Sequence, residues 1–249
     1  MSTALESLYS GPLEKLTPPG VGKPSAQSSI LQAKDLLDSD QLADQLTRFS
    51  TQYAQSDPRA VASIWSKWHF SALISSTLVA NLLLEYDLPV GLDEVSIEVG
   101  PEGQTRRLWV TDTGRPLDCQ SAFGRFSTLI DSHLVPLITA LAEYSGASPK
   151  VFWSNAGNLF EYFTEALQAH PMAKSRSIEL ARELLASRHL QDGRRNPLFQ
   201  PVNYLPAAAG GGCERRRRLC CIRYLIPELE YCSNCPLIRE SCQAESVLS

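Results

Sequence analysis

Long apolar runs, an excess of basic residues, nucleotide-binding glycine patterns and paired histidines are all missing from this sequence, and each absence removes a class of function. The longest apolar stretch, Phe70 to Leu84, is broken by Ser71, Ser75, Ser76, Thr77 and Asn81. It falls short of the ~20 apolar residues that span a bilayer, which predicts a buried helix and a chain that is not transmembrane. With 23 Lys and Arg against 27 Asp and Glu, a net charge of -4, the chain lacks the basic surface by which general nucleic-acid binders displace counterions, so no nucleic acid is expected as a partner. No Gly-x-Gly-x-x-Gly, P-loop, His-Glu-x-x-His or Ser-His-Asp pattern is present. Hydrolase and nucleotide-driven readings therefore have no support. The N-terminal stretch contains Glu6 and Glu14 and no basic region followed by an apolar one, which reads as lacking a secretory signal; the expected location is cytoplasmic or peripheral at the inner face of the membrane.

Cysteine is nearly absent too, until the end. The first 212 residues hold only Cys119, whereas "CCIRYLIPELEYCSNC", residues 220–235, holds four. In a reducing compartment clustered thiols point to metal ligation or redox chemistry before a disulfide framework.

The composition, 43% hydrophobic and 20% charged, is that of an ordinary globular protein, and the length suffices for one large domain plus an appendage. Residues 1–28, rich in Pro, Gly and Ser, read as a flexible N-terminal arm. Residues 29–206 read as the main domain, with a helix capped by Ser39 or Asp40 and another capped by Asp57 with Pro58 in its first turn. Val95, Ile97 and Val99 alternate with polar residues and "RRLWVT" follows a Pro-Glu-Gly turn, which predicts one antiparallel strand pair. A helical stripe from Phe123 to Leu141 closes at Gly146, with a kink expected at Pro136, and further helices are expected near 154–169 and 175–189. The fold class is α+β, predominantly helical, with a small antiparallel sheet. Residues 207–214 read as a Gly-rich linker, and residues 215–249 as a cysteine-rich C-terminal segment.

Thiolate is the ligand that zinc and iron–sulfur clusters share. A zinc ribbon ordinarily uses two Cys-x-x-Cys knuckles, and here the adjacent Cys220 and Cys221 replace one of them. In an extended strand their sulfurs would face opposite sides, so both reach one site only where the backbone turns. A binuclear iron–sulfur core spreads four thiolate positions over two metals and relaxes that demand. Spacing alone leaves zinc and iron–sulfur open.

The stretch "RRRRLCCIRYLIPELEYCSNCPL", with its Cys-Cys-x10-Cys-x2-Cys spacing, resembles the C-terminal signature of the ferric siderophore reductases of the FhuF type, and "DPRAVASIWSKWHFSAL" and "VFWSNAGNLF" resemble the same family more weakly. That resemblance implies a [2Fe–2S] cluster held by Cys220, Cys221, Cys232 and Cys235, and an oxidoreductase of iron acquisition that transfers one electron to a ferric siderophore of hydroxamate type. Because the sequence shows no nicotinamide or flavin fingerprint, a reduced electron donor such as a ferredoxin is the implied partner. A zinc-stabilised ligand-binding or interaction module without redox activity is the alternative. No catalytic residue beyond the cluster is implied. Arg215, Arg216, Arg217, Arg218 and Arg223 are electrostatic candidates for contacting an anionic chelate or tuning the cluster, against the commoner role of a solvated basic face. Trp65, Trp68, His69, Trp153 and Asn155 could line a pocket, although aromatics at helical spacing usually fill cores. Cys119, Cys213 and Cys242 fall outside the spacing and read as incidental thiols.

Overall fold

The structure is a computed structural model that describes residues 5–25, 28–118, 121–206 and 213–238. The first correction to the sequence reading comes at the N-terminus. The arm packs against the body: Leu5, Leu8 and Leu13 are buried in the main core, Gly20–Val21 form strand β1 and Ile30–Gln32 form strand β2. Three leucines spaced along a polar stretch suffice to anchor it, since each fully buried one contributes about 1.5–3 kcal/mol.

Helix α1 (Ser39–Ser50) is capped by Asp38, whose carboxylate accepts from the backbone N–H groups of Asp40 and Gln41 at 3.0 Å each, one residue ahead of the expected cap. It buries Leu42, Leu46 and Phe49. Helix α2 (Pro58–Val79) begins as the sequence predicts, with Asp57 capping and Pro58 in the first turn. Its burial is almost continuous, so the run containing Phe70–Leu84 is a core helix, and it ends in a π turn, Ala80–Leu84. Among the described residues no helix is long and apolar enough to cross a membrane.

Strand β3 (Tyr86–Asp87) is followed by β4 (Val95–Val99), β5 (Thr105–Val110) and β6 (Arg115–Pro116). The predicted pair β4–β5 is the centre of a larger sheet of order β1-β5-β4-β2. β2 pairs antiparallel with β4, and β1 pairs parallel with β5. Gly20 of β1 lies so close to Trp109 of β5 that a Cβ there would fall 2.4 Å from the indole ring, so the pairing requires glycine. β3 and β6 form a separate two-stranded pair.

The stripe from Phe123 becomes a 3-10 turn (Gly124–Phe126), a short helical turn (Ser127–Leu129), a π turn (Ile130–Leu134) and helix α3 (Val135–Ser145). Pro136 explains the irregularity. It has no N–H to give the Ser132 carbonyl four residues back, and that carbonyl accepts instead from Leu92 N–H at 3.1 Å. Helix α4 (Pro149–Gln168), capped by Ser148, and helix α5 (Ser175–Ala186) complete the helical layer. α2 packs along α4 on one side and against β5 on the other.

Strands β7 (Val202–Pro206) and β8 (Cys213–Arg217) pair antiparallel in register from Val202↔Arg217 to Pro206↔Cys213. Sequence reading did not foresee this hairpin. Residues 207–212 of the expected linker, together with Cys119 and Cys242, lie outside the described residues.

Candidate metal centre

The cysteine segment is seated on polar side chains that two core helices present side by side. Ser63, Ser66 and Lys67 occupy one face of α2 at the i, i+3, i+4 spacing; Ser154, Asn158 and Glu161 share a face of α4 at i, i+4, i+7, with Asn155 beside them. Asn155 is fully buried and joins the helices: its Nδ2 donates to Ser63 O at 2.9 Å and to Ser66 Oγ at 3.0 Å. Its Oδ1 accepts from the buried Arg217 guanidinium at 2.7 Å, and Arg217 also donates to Ser154 O at 2.8 Å. Two hydroxyls then fix the backbone around the vicinal cysteines, Ser154 Oγ donating to Leu219 O at 2.8 Å and Ser63 Oγ to Cys221 O at 2.7 Å. The second cysteine pair is tied to the same frame, because Arg217 N–H donates to Asn234 O at 2.9 Å and Asn234 Nδ2 to Asn158 Oδ1 at 2.8 Å. Gly157 allows the approach of the chain entering β7. A Cβ there would meet Pro201 Cβ at 2.7 Å, and Pro201 O accepts from Arg218 N–H at 2.9 Å.

The backbone makes the turn that adjacent cysteines require. Ile222, directly after the pair, is left-handed at φ +53, and Cys232–Cys235 close a tight turn with Cys235 N–H donating to Cys232 O at 2.9 Å. Cys221 Sγ lies 3.8 Å from Cys232 Sγ. Backbone N–H groups point at two of the sulfurs, Ile222 N to Cys220 Sγ at 3.2 Å and Leu237 N to Cys235 Sγ at 3.4 Å. Among the described residues no three His, Cys, Asp or Glu side chains gather closely enough for one metal ion. All four cysteines nevertheless lie on the one seat formed by α2 and α4, with Cys221 and Cys232 in sulfur contact.

Lys67 is the charge at the centre. Its Nζ donates to Cys221 Sγ at 3.0 Å. The Cys221 thiol is pulled down to about 4, first by the hydrogen bond from Cys232 and then by the charges of Lys67 and Arg217; its partner Cys232 is pushed up by that same bond and by burial. Burial raises the Cys220 thiol, followed by the proximity of Cys221 and Cys235. Amide donors and an ammonium directed at sulfur favour thiolate, so this donor set suits an iron–sulfur cluster.

The arginines predicted as electrostatic candidates divide. Arg215 is ion-paired with Glu161 and donates to Asn158 O at 2.7 Å. Arg216 pairs with Glu214 at 2.9 Å and donates to Ile238 O, and Arg217 is the buried clamp described above. These three have protein partners and do not form a free basic face. Arg218 faces a cleft with Trp153 and Leu219. Arg223 sits in the turn Arg223–Leu225, its buried Nε without a hydrogen-bond partner among the described residues. Of the pocket candidates, Trp65 and His69 belong to the core: the indole donates to Gly103 O at 2.9 Å and stacks on the imidazole. Trp68 lines a different cleft that contains no residue of the cysteine segment. Cys213 is exposed in β8. Sequence reasoning missed Ser63, Ser66, Lys67, Asn158 and Asn234. The available signal was polar residues on helices otherwise expected to be buried, since buried polar groups need partners.

Comparison with known proteins agrees with this geometry. Residues 63–212 match the family described as "Ferric iron reductase FhuF-like transporter", and residues 217–237 match the "FhuF 2Fe-2S C-terminal domain". The ferric siderophore reductase of Escherichia coli (strain K12) is 29% identical over 181 residues, 72% of this chain and 66% of that protein. The chain thus spans slightly less than two thirds of the relative's length. In fold it is similar to the ATP-bound aerobactin synthetase IucA of Klebsiella pneumoniae (TM-score 0.57, 10% identity, 70% of this chain and 37% of that one) and to aerobactin synthetase IucC of the same organism (TM-score 0.51, 13% identity, 76% and 38%). At those identities the likeness concerns the fold alone. With more than half of its length matched, beginning at the serine that holds Cys221 and followed by a [2Fe–2S] domain over the four thiols, the chain belongs to the FhuF-like family of ferric iron reductases.

Proposed function

We propose that this protein is a cytoplasmic one-electron reductase of ferric siderophores of hydroxamate type, and that Cys220, Cys221, Cys232 and Cys235 hold its [2Fe–2S] cluster. The observation that carries the reading is the seating of the cysteine segment on α2 and α4, with Cys221 and Cys232 sulfurs 3.8 Å apart and Lys67 Nζ 3.0 Å from Cys221 Sγ. A bound [2Fe–2S] cluster supplies reversible one-electron transfer. The protein's own groups supply its surroundings. Cys221 and Cys235 are buried while Cys220 and Cys232 are partly open, so one side of the site is shielded from water and the other faces outward. Ser63, Ser154 and Arg217 fix the backbone that carries the thiols. The positive charges of Lys67 and Arg217 favour accumulation of negative charge between the four sulfurs.

The net reaction transfers one electron from a reduced carrier, such as a ferredoxin, to Fe(III), giving Fe(II) and leaving the chelator's covalent structure intact. Hard anionic oxygen donors hold ferric ion far more tightly than ferrous ion, so no acid or base is required to loosen the metal. The cluster segment is read as residues 215–249 and the main domain as residues 29–206 together with the arm that Leu5, Leu8 and Leu13 bury in its core.

Anaerobically purified protein should contain about two iron and two sulfide per chain, bleach with dithionite and recover its colour on adding a ferric hydroxamate. Cys221→Ser and Cys235→Ser should lose iron. Colourless protein with stoichiometric zinc, or a reduced protein that a ferric siderophore does not reoxidise, would overturn the reading.

A further inference from the structure

Beside the vicinal cysteines lies an open cleft of about 370 Å³ whose lining includes Lys150, Trp153, Arg195, Pro201, Arg218 and Leu219. Leu219 directly precedes Cys220, and Ser154, also in the wall, donates to the Leu219 carbonyl. A molecule in this cleft is therefore next to the candidate metal centre. The lining carries three cations and no carboxylate. Among the described residues none of the three has an ion pair, whereas Arg215 and Arg216 on the adjoining strand both do. Arg218 is held by its backbone on Pro201 O, and its guanidinium lies 5.7 Å from the Phe199 ring centre. Two uncompensated guanidiniums and an ammonium around an indole wall form a receptor for an anion with an apolar surface.

We infer that this cleft is the substrate site and that it selects ferric chelates of net negative charge, such as hydroxamate chelators bearing additional carboxylates, over neutral trihydroxamates. The inference rests on the reductase reading and adds to it a location and a charge class. The cleft at Trp68 does not compete as a site, since none of its lining comes from residues 213–238.

The test uses cluster-loaded protein and gallium(III) in place of iron, which removes redox turnover from the measurement. Binding of a neutral gallium trihydroxamate and of an anionic gallium hydroxamate–carboxylate is followed by calorimetry and by quenching of Trp153 fluorescence, with Trp153→Phe as the control. The anionic chelate should bind at least about tenfold more tightly at low salt, with the advantage shrinking as salt rises. Arg195→Gln/Arg218→Gln should abolish the preference at unchanged iron and sulfide content, and Arg195→Lys/Arg218→Lys should restore most of it. Equal affinity for the two chelates, or a preference that survives the double Gln variant, overturns the inference. Reoxidation of dithionite-reduced wild-type protein by the ferric forms is run in parallel. If both ferric chelates reoxidise it but the gallium forms bind alike, only the charge-selective cleft fails; if neither does, the reductase reading fails first.

Discussion

Replacing Lys67 by Met removes a positive charge from one sulfur while keeping most of the side chain's volume, and its effect can be worked from one distance. The ammonium lies 3.0 Å from Cys221 Sγ, and for charge shared with the other sulfurs a separation of about 5 Å is taken. At an effective dielectric of about 20 a unit charge at that separation is worth about 3 kcal/mol. Lys67 is only partly buried, and solvent screening reduces this to about 1.5 kcal/mol. For a one-electron couple that corresponds to a midpoint potential lower by about 60 mV. Lys67→Arg keeps the charge and should shift the potential by less than half as much. The assay is a dye-mediated redox titration of both variants, followed by visible absorbance, with iron and sulfide content checked against wild type. If Lys67→Met retains its cluster and its potential stays within about 15 mV of wild type, the ammonium does not act on the metal centre and the electrostatic argument is wrong.

Two further outcomes follow from buried groups. Arg217→Leu leaves Asn155 Oδ1 without its donor in the core, while the Ser154 carbonyl keeps its helical partner; one buried unpaired acceptor costs about 2 kcal/mol and lowers Tm by about 4–8 °C, read by thermal unfolding, and an unchanged Tm would refute the clamp. His69 and His133 form a one-way hydrogen-bond chain: His133 Nδ1 donates to Val90 O at 2.5 Å, His69 Nε2 donates to His133 Nε2 at 2.8 Å, and Thr105 Oγ1 donates to His69 Nδ1 at 2.9 Å. Burial holds both rings neutral and pushes His133 down to about 4. Between that value and the ordinary histidine value of about 6.5 the unfolded chain binds protons that the folded chain does not, so stability falls as pH drops through this window, by up to about 1.4 kcal/mol per pH unit per ring. Urea midpoints measured from pH 7 to 4.5 should show the slope and His133→Gln should flatten it; a level wild-type profile would rule the mechanism out.

What the sequence disclosed was local. Asp57 and Pro58 declare the start of α2 within two residues, Val95, Ile97 and Val99 declare β4 by alternation, and the cysteine spacing is a pattern within sixteen residues. What it concealed depends on distant partners. Lys67 is 154 residues from the sulfur it touches, and nothing near "WSKW" names that partner. β7 and β8 read "VNYLP" and "CERRR", without the alternation or β-branched content that marks a strand; they pair because side chains such as Arg215 and Tyr204 converge on Glu161 of α4. The N-terminal arm was misread for the related reason that average composition hides three well-placed leucines.

One side of α2 both anchors the backbone of Cys221 through Ser63 and touches its sulfur through Lys67, and its next turns on that side are packed into the interior through the fully buried Phe70 and Leu73. A rotation of this helix by even a few degrees would therefore carry the hydroxyl and the ammonium together across the thiol. Substitutions at remote apolar positions such as Leu73 or Phe70 thus have a mechanical route to the redox properties of the centre: the rod that fills the interior is also the gauge against which the sulfur is set.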